Sequence, residues 1–288
     1  MADTKIRLTH GNGGRQTREL VEGVFLRAQG KGPEGALLDA APLSLDGGRW
    51  AFTTDGFVVT PHVFPGGTIG SLAVHGTCND LAALGARPRF ASTAFILEEG
   101  LDAGLLARVA EDMADAAKDA GLALATGDTK VVERGKGDGL YIAMSGLGDI
   151  PAGRDLAPSN LRPGDAWLVS GPVGDHGAAI VAARGDYSLD APIRSDSANL
   201  SPLVEALLGA VPGTRFLRDA TRGGLAQVVV ESCHAAGLGA VIDEGAIPVR
   251  PQVEGLCDIL GFDPLYLACE GRLLACVPGS LAQEALRV

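Results

Sequence analysis

Aromatic residues are scarce: Phe, Trp and Tyr together make 5% of the 288 residues. The cores must therefore be built from Ala, Val, Leu and Ile. Basic charge is short as well, 24 Lys and Arg against 35 Asp and Glu, for a net charge of −11. That balance argues against nucleic acid or an anionic membrane as the main partner. It leaves nucleotides open, since Mg²⁺ can neutralise their phosphates. The cysteines Cys78, Cys233, Cys257, Cys269 and Cys276 show no C-x-x-C spacing and are odd in number. This argues against a zinc ribbon or a disulfide framework and fits a reducing cytoplasm. The start, Met1-Ala2-Asp3-Thr4-Lys5, has no apolar run of the kind a signal peptide needs. No apolar run reaches the roughly 18 residues of a membrane span. The P-loop, the H-E-x-x-H zinc motif and the G-x-S-x-G nucleophile frame are all missing. The glycines after His10 do not make a dinucleotide fingerprint, because Gln16 stands where its third glycine would be.

What is present is ordinary for a packed protein of two domains or one large one: 46% hydrophobic and 20% charged residues. Glycine is the exception, at 41 residues, and implies many tight turns and close backbone approaches to ligands. The chain is organised around Ala125-Thr126-Gly127-Asp128-Thr129-Lys130-Val131-Val132-Glu133. It follows an apolar run, Leu122–Ala125, that reads as a buried strand. A strand ending in Gly127-Asp128-Thr129-Lys130 offers bare backbone, a carboxylate, a hydroxyl and an ammonium at one point. Those groups suit a metal-bound polyphosphate and chemistry beside it. The alternative is a polar turn in which Asp128 bonds its own backbone.

In chain order, His10-Gly11-Asn12-Gly13-Gly14-Arg15 is a glycine-rich loop ahead of a helix from about Gln16 to Ala28, with Leu20, Val24 and Phe25 inward. Residues 30–35 read as a loop. Arg49–Thr54 alternates as a strand and ends at Asp55-Gly56, where an Asp-Gly hairpin turn is the favoured reading. Pro65–Thr68 opens a helix that buries Ile69, Leu72, Ala73 and Gly76 and stops at Gly85. Asn79-Asp80 inside it read as a solvent-facing pair, a ligand being the other use. Phe90–Leu97 is a strand, Asp102 caps a helix to about Ala120, and Leu140–Leu147 is a strand. The alternation predicts a mixed sheet with helices on one face. The proline-bearing stretch Pro151–Gly164 reads as a linker between units at 1–150 and 165–288. The second unit holds a strand Ala166–Val169, a helix capped by Asp175, and a helix Asn199–Leu208. Arg218-Asp219-Ala220-Thr221-Arg222-Gly223-Gly224 then opens a helix to Ala236. It reads as an anion site served by Arg218 or Arg222, or as an ordinary start capped by Thr221. A strand Val241–Asp243, a helix Gln252–Leu260 and two strands, Tyr266–Cys269 and Leu273–Val277, flanking Glu270-Gly271-Arg272 complete it. Leu281–Val288 reads as a helix without a stop signal, as if the chain were cut there.

His10–Gly14, Thr54–Val59, Phe64–Gly70, Gly76–Leu81 and Gly127–Glu133, continued by Gly174–Gly177, Arg218–Gly224 and Cys269–Gly271, come in an order that resembles the HypE family of hydrogenase maturation factors. That family belongs with aminoimidazole ribonucleotide synthetase, selenophosphate synthetase and thiamine-monophosphate kinase. The resemblance implies an α/β (α+β), two-domain PurM-like fold. The N-terminal domain, 1–150, would bind ATP and pair its mixed sheet across a homodimer; the C-terminal α/β domain, 165–288, would close over the nucleotide. It implies ATP-dependent dehydration of a thiocarboxamide on a C-terminal cysteine to thiocyanate, the source of cyanide for nickel–iron hydrogenases. The implied partners are the carbamoyltransferase HypF and the HypC–HypD iron-carrying complex. On this resemblance Asp55, Asp80 and Asp128 hold Mg²⁺ and phosphates, and Asn79 and Thr129 add polar contacts. Gly127, Arg222 and Gly223 join the ATP site, and His10, Gly13 and Gly14 cover the phosphates. Lys130 stabilises the transferring phosphoryl or assists proton transfer, and Glu270 is the general base. Two departures stand out. Cys269 replaces the Asn of the family's Asn-Glu-Gly, and the family's Pro-Arg-Ile-Cys tail is not found before Val288. None of the five cysteines stands in for the carrier. A sister kinase or synthetase, or a scaffold that binds ATP and partners without turnover, are the alternatives.

Overall fold

The structure, a computed structural model, describes residues 14–26, 40–45, 47–185 and 193–288. Helix α1 (Arg15–Leu20) opens it and continues as a π-helical turn, Val21–Leu26. Val24, expected inward, is exposed. His10, Gly13, the side chain of Phe25 and the loop at 30–35 lie outside the described residues.

The first half runs β1 (Ala41–Leu45), β2 (Gly48–Phe57), a small hairpin of β3 (Val63–Phe64) and β4 (Gly67–Thr68), α2 (Ile69–Ala83), β5 (Arg87–Glu98), α3 (Ala103–Ala120), β6 (Ala123–Val132) and β7 (Leu140–Ile150). Five strands form one sheet in the order β1-β2-β7-β5-β6. Only the β5–β6 pairing is parallel, so the sheet is mixed as expected. The helix signals act as read: Asp102 accepts from the Leu105 N–H at 2.8 Å, and Gly121 ends α3 with φ of 66°. Helix α2 starts on a Thr68–Ser71 capping box. Its small and apolar residues are buried on nearly every side, because the sheet, α3 and the second half all pack against it. Gly70 permits the α3 contact: a Cβ there would stand 2.1 Å from the Val109 carbonyl oxygen.

Two strand expectations are corrected. β2 does not turn at Asp55-Gly56 but runs on, pairing Asp55 with Met144 and Gly56 with Ala143 of β7. The long cross-strand ladder outweighs the local Asp-Gly turn preference. β6 is no buried strand closed by Gly127-Asp128-Thr129-Lys130. It is an edge strand continuing through Val132 and exposed along nearly its whole length. Alternation along the strands then fixes two faces. Thr53, Asp55, Phe57 and Met144 face α2, whereas Phe52, Phe90 and Ile96 lie on the opposite, open face and are 44%, 48% and 38% exposed.

The second half comprises β8 (Asp165–Val169), α4 (Asp175–Arg184), α5 (Ser201–Ala210), β9 (Phe216–Asp219), α6 (Gly224–Ala236), α7 (Pro251–Leu260), β10 (Leu273–Pro278) and α8 (Ala282–Ala285). β10 lies between β8 and β9, antiparallel to both. It reads as an unbroken apolar run because both its faces are covered. Leu273, Ala275 and Val277 meet α5, while Leu274 and Cys276 join Leu225 and Val228 of α6. Residues 241–243 and 266–269 form no strand; Val241 is fully exposed and a short 3-10 turn spans Pro264–Tyr266. β9 had no sequence signal of its own. Gly174 and Gly223, in left-handed conformations, take the N-cap positions expected of Asp175 and Thr221. Asp175 is instead buried against Arg250 (2.9 Å) and Arg272 (3.2 Å). The stretch read as a linker is pinned: Arg154 donates to the Gly85 carbonyl at 2.6 Å and pairs with Glu205 of α5.

Candidate active site

The two halves enclose a cleft of about 780 Å³. β2 brings Asp55 to it, α2 brings Asp80, and α1 with the π-helical turn after it closes one side through Thr17, Arg18 and Val21. The second half contributes His176, Arg218, Asp219, Arg222 and Glu270. A larger cavity, about 950 Å³, lies beside β8 and α6 and contains none of the expected site residues.

The cleft is rich in carboxylates. Asp55, half-buried, accepts from the Gly56 N–H at 2.8 Å and faces Arg222 at 3.4 Å. Burial raises its pKa, and Arg222 and the Gly56 N–H oppose that rise. Asp80 accepts from the Thr53 hydroxyl at 2.7 Å. Glu270 lines the cleft and is half-buried. Burial first, then the charges of Asp219, Asp55 and Asp196, push its pKa well above the ordinary carboxylate range against the pull of Arg222. A carboxyl so poised holds a proton more tightly than an ordinary carboxylate, which suits a general base. Arg222, largely exposed, stands at the cleft mouth where an anion would enter, and Gly223 starts α6 there with φ of 77°. Gly14 caps α1, whose next turns line the cleft.

Asn79 is placed differently from the expectation. It is 1% exposed, neither solvent-facing nor in the cleft. Its amide donates to the carbonyls of Ala198 (3.0 Å) and Glu270 (3.2 Å), and its Oδ1 accepts from the Leu200 N–H at 2.8 Å.

Asp128 lies apart from the cleft of its own chain. Its strand lies three places from β2 in the sheet, a lateral separation of about 14 Å at ordinary strand spacing. Its register puts it in a row with Ala94, Ala143 and Gly56, on the open face opposite Asp55. Lys130 shares that face; it is 76% exposed and 3.9 Å from Asp128. Gly127 and Thr129 are exposed on the same strand. Within one chain, then, Asp55 and Asp80 meet Glu270, while Asp128, Thr129 and Lys130 do not. Among the described residues no group of three or more His, Cys, Asp or Glu is arranged to hold a metal ion.

Sequence reasoning missed several residues here. Asp219 and His176 lay inside quoted motifs without being singled out. His176 is buried, its pKa lowered to about 4 by burial, and its Nδ1 is 2.8 Å from the Ser195 hydroxyl. The strap of residues 195–198 carried no motif at all. Asp196 in it accepts from the Glu270 N–H at 3.1 Å. Cys269 is fully buried, its thiol pushed up to about 12 by burial. Its sulfur accepts from the Gly174 N–H at 3.1 Å and donates to the Leu267 carbonyl at 3.7 Å. It thus makes one accepting and one donating contact, the pair an Asn amide also offers.

Residues 38–150 match the model of the AIR synthase related protein N-terminal domain, and residues 162–288 that of the C-terminal domain. The carbamoyl dehydratase HypE of Rhodobacter capsulatus is 52% identical over 288 residues, covering 99% of this chain and 85% of that protein. The chain belongs to the HypE family. Two solved HypE structures superpose on it. One, from a HypE–HypF complex, has a TM-score of 0.87 at 43% identity, covering 93% of this chain and 87% of the other. The second, HypE in complex with ATP, has a TM-score of 0.81 at 44% identity, covering 98% and 84%. The two-domain α/β architecture is that of the HypE family. No helix among the described residues is long and apolar enough to cross a membrane.

Proposed function

We propose that this chain is an ATP-dependent carbamoyl dehydratase that converts a thiocarboxamide on a C-terminal cysteine to thiocyanate in nickel–iron hydrogenase maturation. The observation that carries the reading is the cleft of Asp55, Asp80, Asp219 and Glu270 with Arg218 and Arg222, in a chain of HypE sequence. The amide oxygen is phosphorylated and leaves as phosphate. The two amide protons are removed, and the carbon–nitrogen bond becomes triple. Glu270, with its raised pKa, accepts a proton from the amide nitrogen. Arg222 meets phosphate charge at the cleft mouth. Asp55 and Asp80 fit Mg²⁺, which takes one or two hard carboxylates and completes its shell with phosphate oxygens and water. Bound there, Mg²⁺ supplies charge neutralisation for the phosphates. Residues 1–150 would form the ATP-binding and dimerisation domain and 165–288 the domain that closes over it. HypF, and the HypC–HypD complex downstream, are the partners this activity needs. The buried free cysteines fit a reducing cytoplasm.

The open sheet face with Phe52, Phe90 and Ile96 supports a homodimer, because contiguous apolar surface of this kind is usually covered. Asp128 and Lys130 share that face. Thr54 and Gly56 of that face also line the cleft, so a second copy seated there would carry Asp128 and Lys130 toward its partner's cleft and the site would be completed across the dimer.

Phosphate release and nucleotide binding test this, with a thiocarboxamide peptide ending in Cys supplied in trans. Lys130→Ala is expected to keep ATP binding and lose about 10²-fold in turnover. Co-expressed with Glu270→Gln, it should recover about one quarter of native turnover, from mixed dimers with one intact site. Native turnover by Lys130→Ala removes Lys130 from the chemistry; no recovery on mixing places both residues in one chain.

A further inference from the structure

We propose that Asn79 is a positioning residue that fixes Glu270 relative to Asp80, and that it makes no contact with the nucleotide. This deepens the reading above and rests on Glu270 as the base. Asn79 and Asp80 are neighbours on α2, about 100° apart around the helix axis. Asp80 turns to the cleft, where Thr53 holds it. Asn79 turns inward, and its hydrogen-bonding groups are all committed to backbone: Ala198 O, Glu270 O and Leu200 N–H. A single side chain of the first half thereby joins α2, the strap at 195–200 and Glu270 of the second half.

Glu270 is held from both sides of its peptide. Its N–H donates to Asp196 Oδ1 at 3.1 Å, and its carbonyl also accepts from the Ala198 N–H at 3.4 Å. The next residue fits as closely: a Cβ on Gly271 would stand 1.8 Å from the Asp196 carbonyl oxygen. His75 pins the strap from the same helix, its Nδ1 2.9 Å from the Ser197 hydroxyl. Helix α2 thus presents one carboxylate with Asp80 and holds the second, Glu270, through Asn79. Displacements near 1 Å at a reacting group can cost about 10²-fold in rate, so such a clamp has kinetic weight.

The test compares Asn79→Ala and Asn79→Asp with the native chain and Glu270→Gln. Asn79→Asp keeps the volume and the acceptor for Leu200 but loses the donors to Ala198 and Glu270. Four quantities are read: thermal midpoint, affinity for a non-hydrolysable ATP analogue with Mg²⁺, kcat and KM for ATP, and the pH profile of kcat. The groups facing Glu270 are Asp55 from β2, Asp219 from β9, Asp196 from the strap, and Arg222 before α6. Loosening Glu270 among them should move the acid limb of the profile. The expected result is a kcat lower by about 10-fold or more, affinity and KM within about two-fold, and a displaced acid limb. Affinity lost by about 10-fold or more with kcat and limb retained would make Asn79 a nucleotide ligand. A lower midpoint with unchanged kinetics, or failure of both variants to fold, would make it a structural residue only. Native turnover by Glu270→Gln would instead sink the base assignment, separately from the clamp.

Discussion

Glu270 shows how position tunes a single carboxyl. Its raised pKa means that the fold favours the protonated form. Stability is therefore lost as pH rises from the unfolded carboxylate value, about 4.3, through the folded one. Glu270→Gln should raise the thermal midpoint above neutral pH and leave it unchanged below about pH 4. A native midpoint difference independent of pH would contradict the shift. As a base the group must be ionised, so the acid limb of kcat/KM should lie above the ordinary carboxylate range in the native chain. Cys269 makes the converse point. A residue that departs from the family motif keeps a donating and an accepting contact, and its thiol stays protonated at any ordinary pH.

At the scale of the element, α2 is the part on which the site depends. It touches α3, the sheet and the second half, and it holds both Asp80 and Asn79. Gly70 sets its distance from α3. Gly70→Ala would bring a methyl against backbone at Val109, which cannot yield as a flexible side chain can. Overpacking of this kind costs about 1–3 kcal/mol. The urea midpoint should fall accordingly, and turnover with it, since α2 carries Asp80 and, through Asn79, holds Glu270. An unchanged midpoint would mean that α2 and α3 separate freely. The element scale is also where sequence reading went astray. Asp55-Gly56 carries every local mark of a turn, yet lies mid-strand because β7 pairs with it on both sides of the dipeptide.

For the molecule as a whole, several side-chain links hold the halves together, two of them centred on α2 and α5. One is the Asn79 clamp. The other is Glu205 of α5, which takes Arg154 at 2.5 and 2.7 Å and Arg87 of β5 at 3.2 Å. The Arg154 hydrogen bond, with that of Arg87 behind it, draws the Glu205 pKa down to about 2. A depressed carboxylate stabilises the fold above its unfolded value and loses that contribution as pH falls toward about 2. Glu205→Ala should thus lower the thermal midpoint near neutral pH, with the gap closing as pH approaches 2. The effect should be modest, because the pair is partly open to solvent. A gap constant with pH would show that packing, not charge, is lost.

Much of this was legible in the residues themselves. The cap at Asp102 and the stop at Gly121, and the alternation of strands with helices, act over a few residues and depend on local sterics and hydrogen bonds. The quoted motifs likewise supplied Asp55, Asp80, Arg222 and Glu270, all of which line the cleft. Tertiary structure alone decided which way each side chain faces. Side chains of one sheet or one helix point to different surroundings, so Asp55 meets the cleft while Asp128 faces the open sheet. Likewise Asp80 turns to the cleft while Asn79 turns away from it. Side-chain direction depends on register and on what packs from afar, and neither is written in a short stretch of residues.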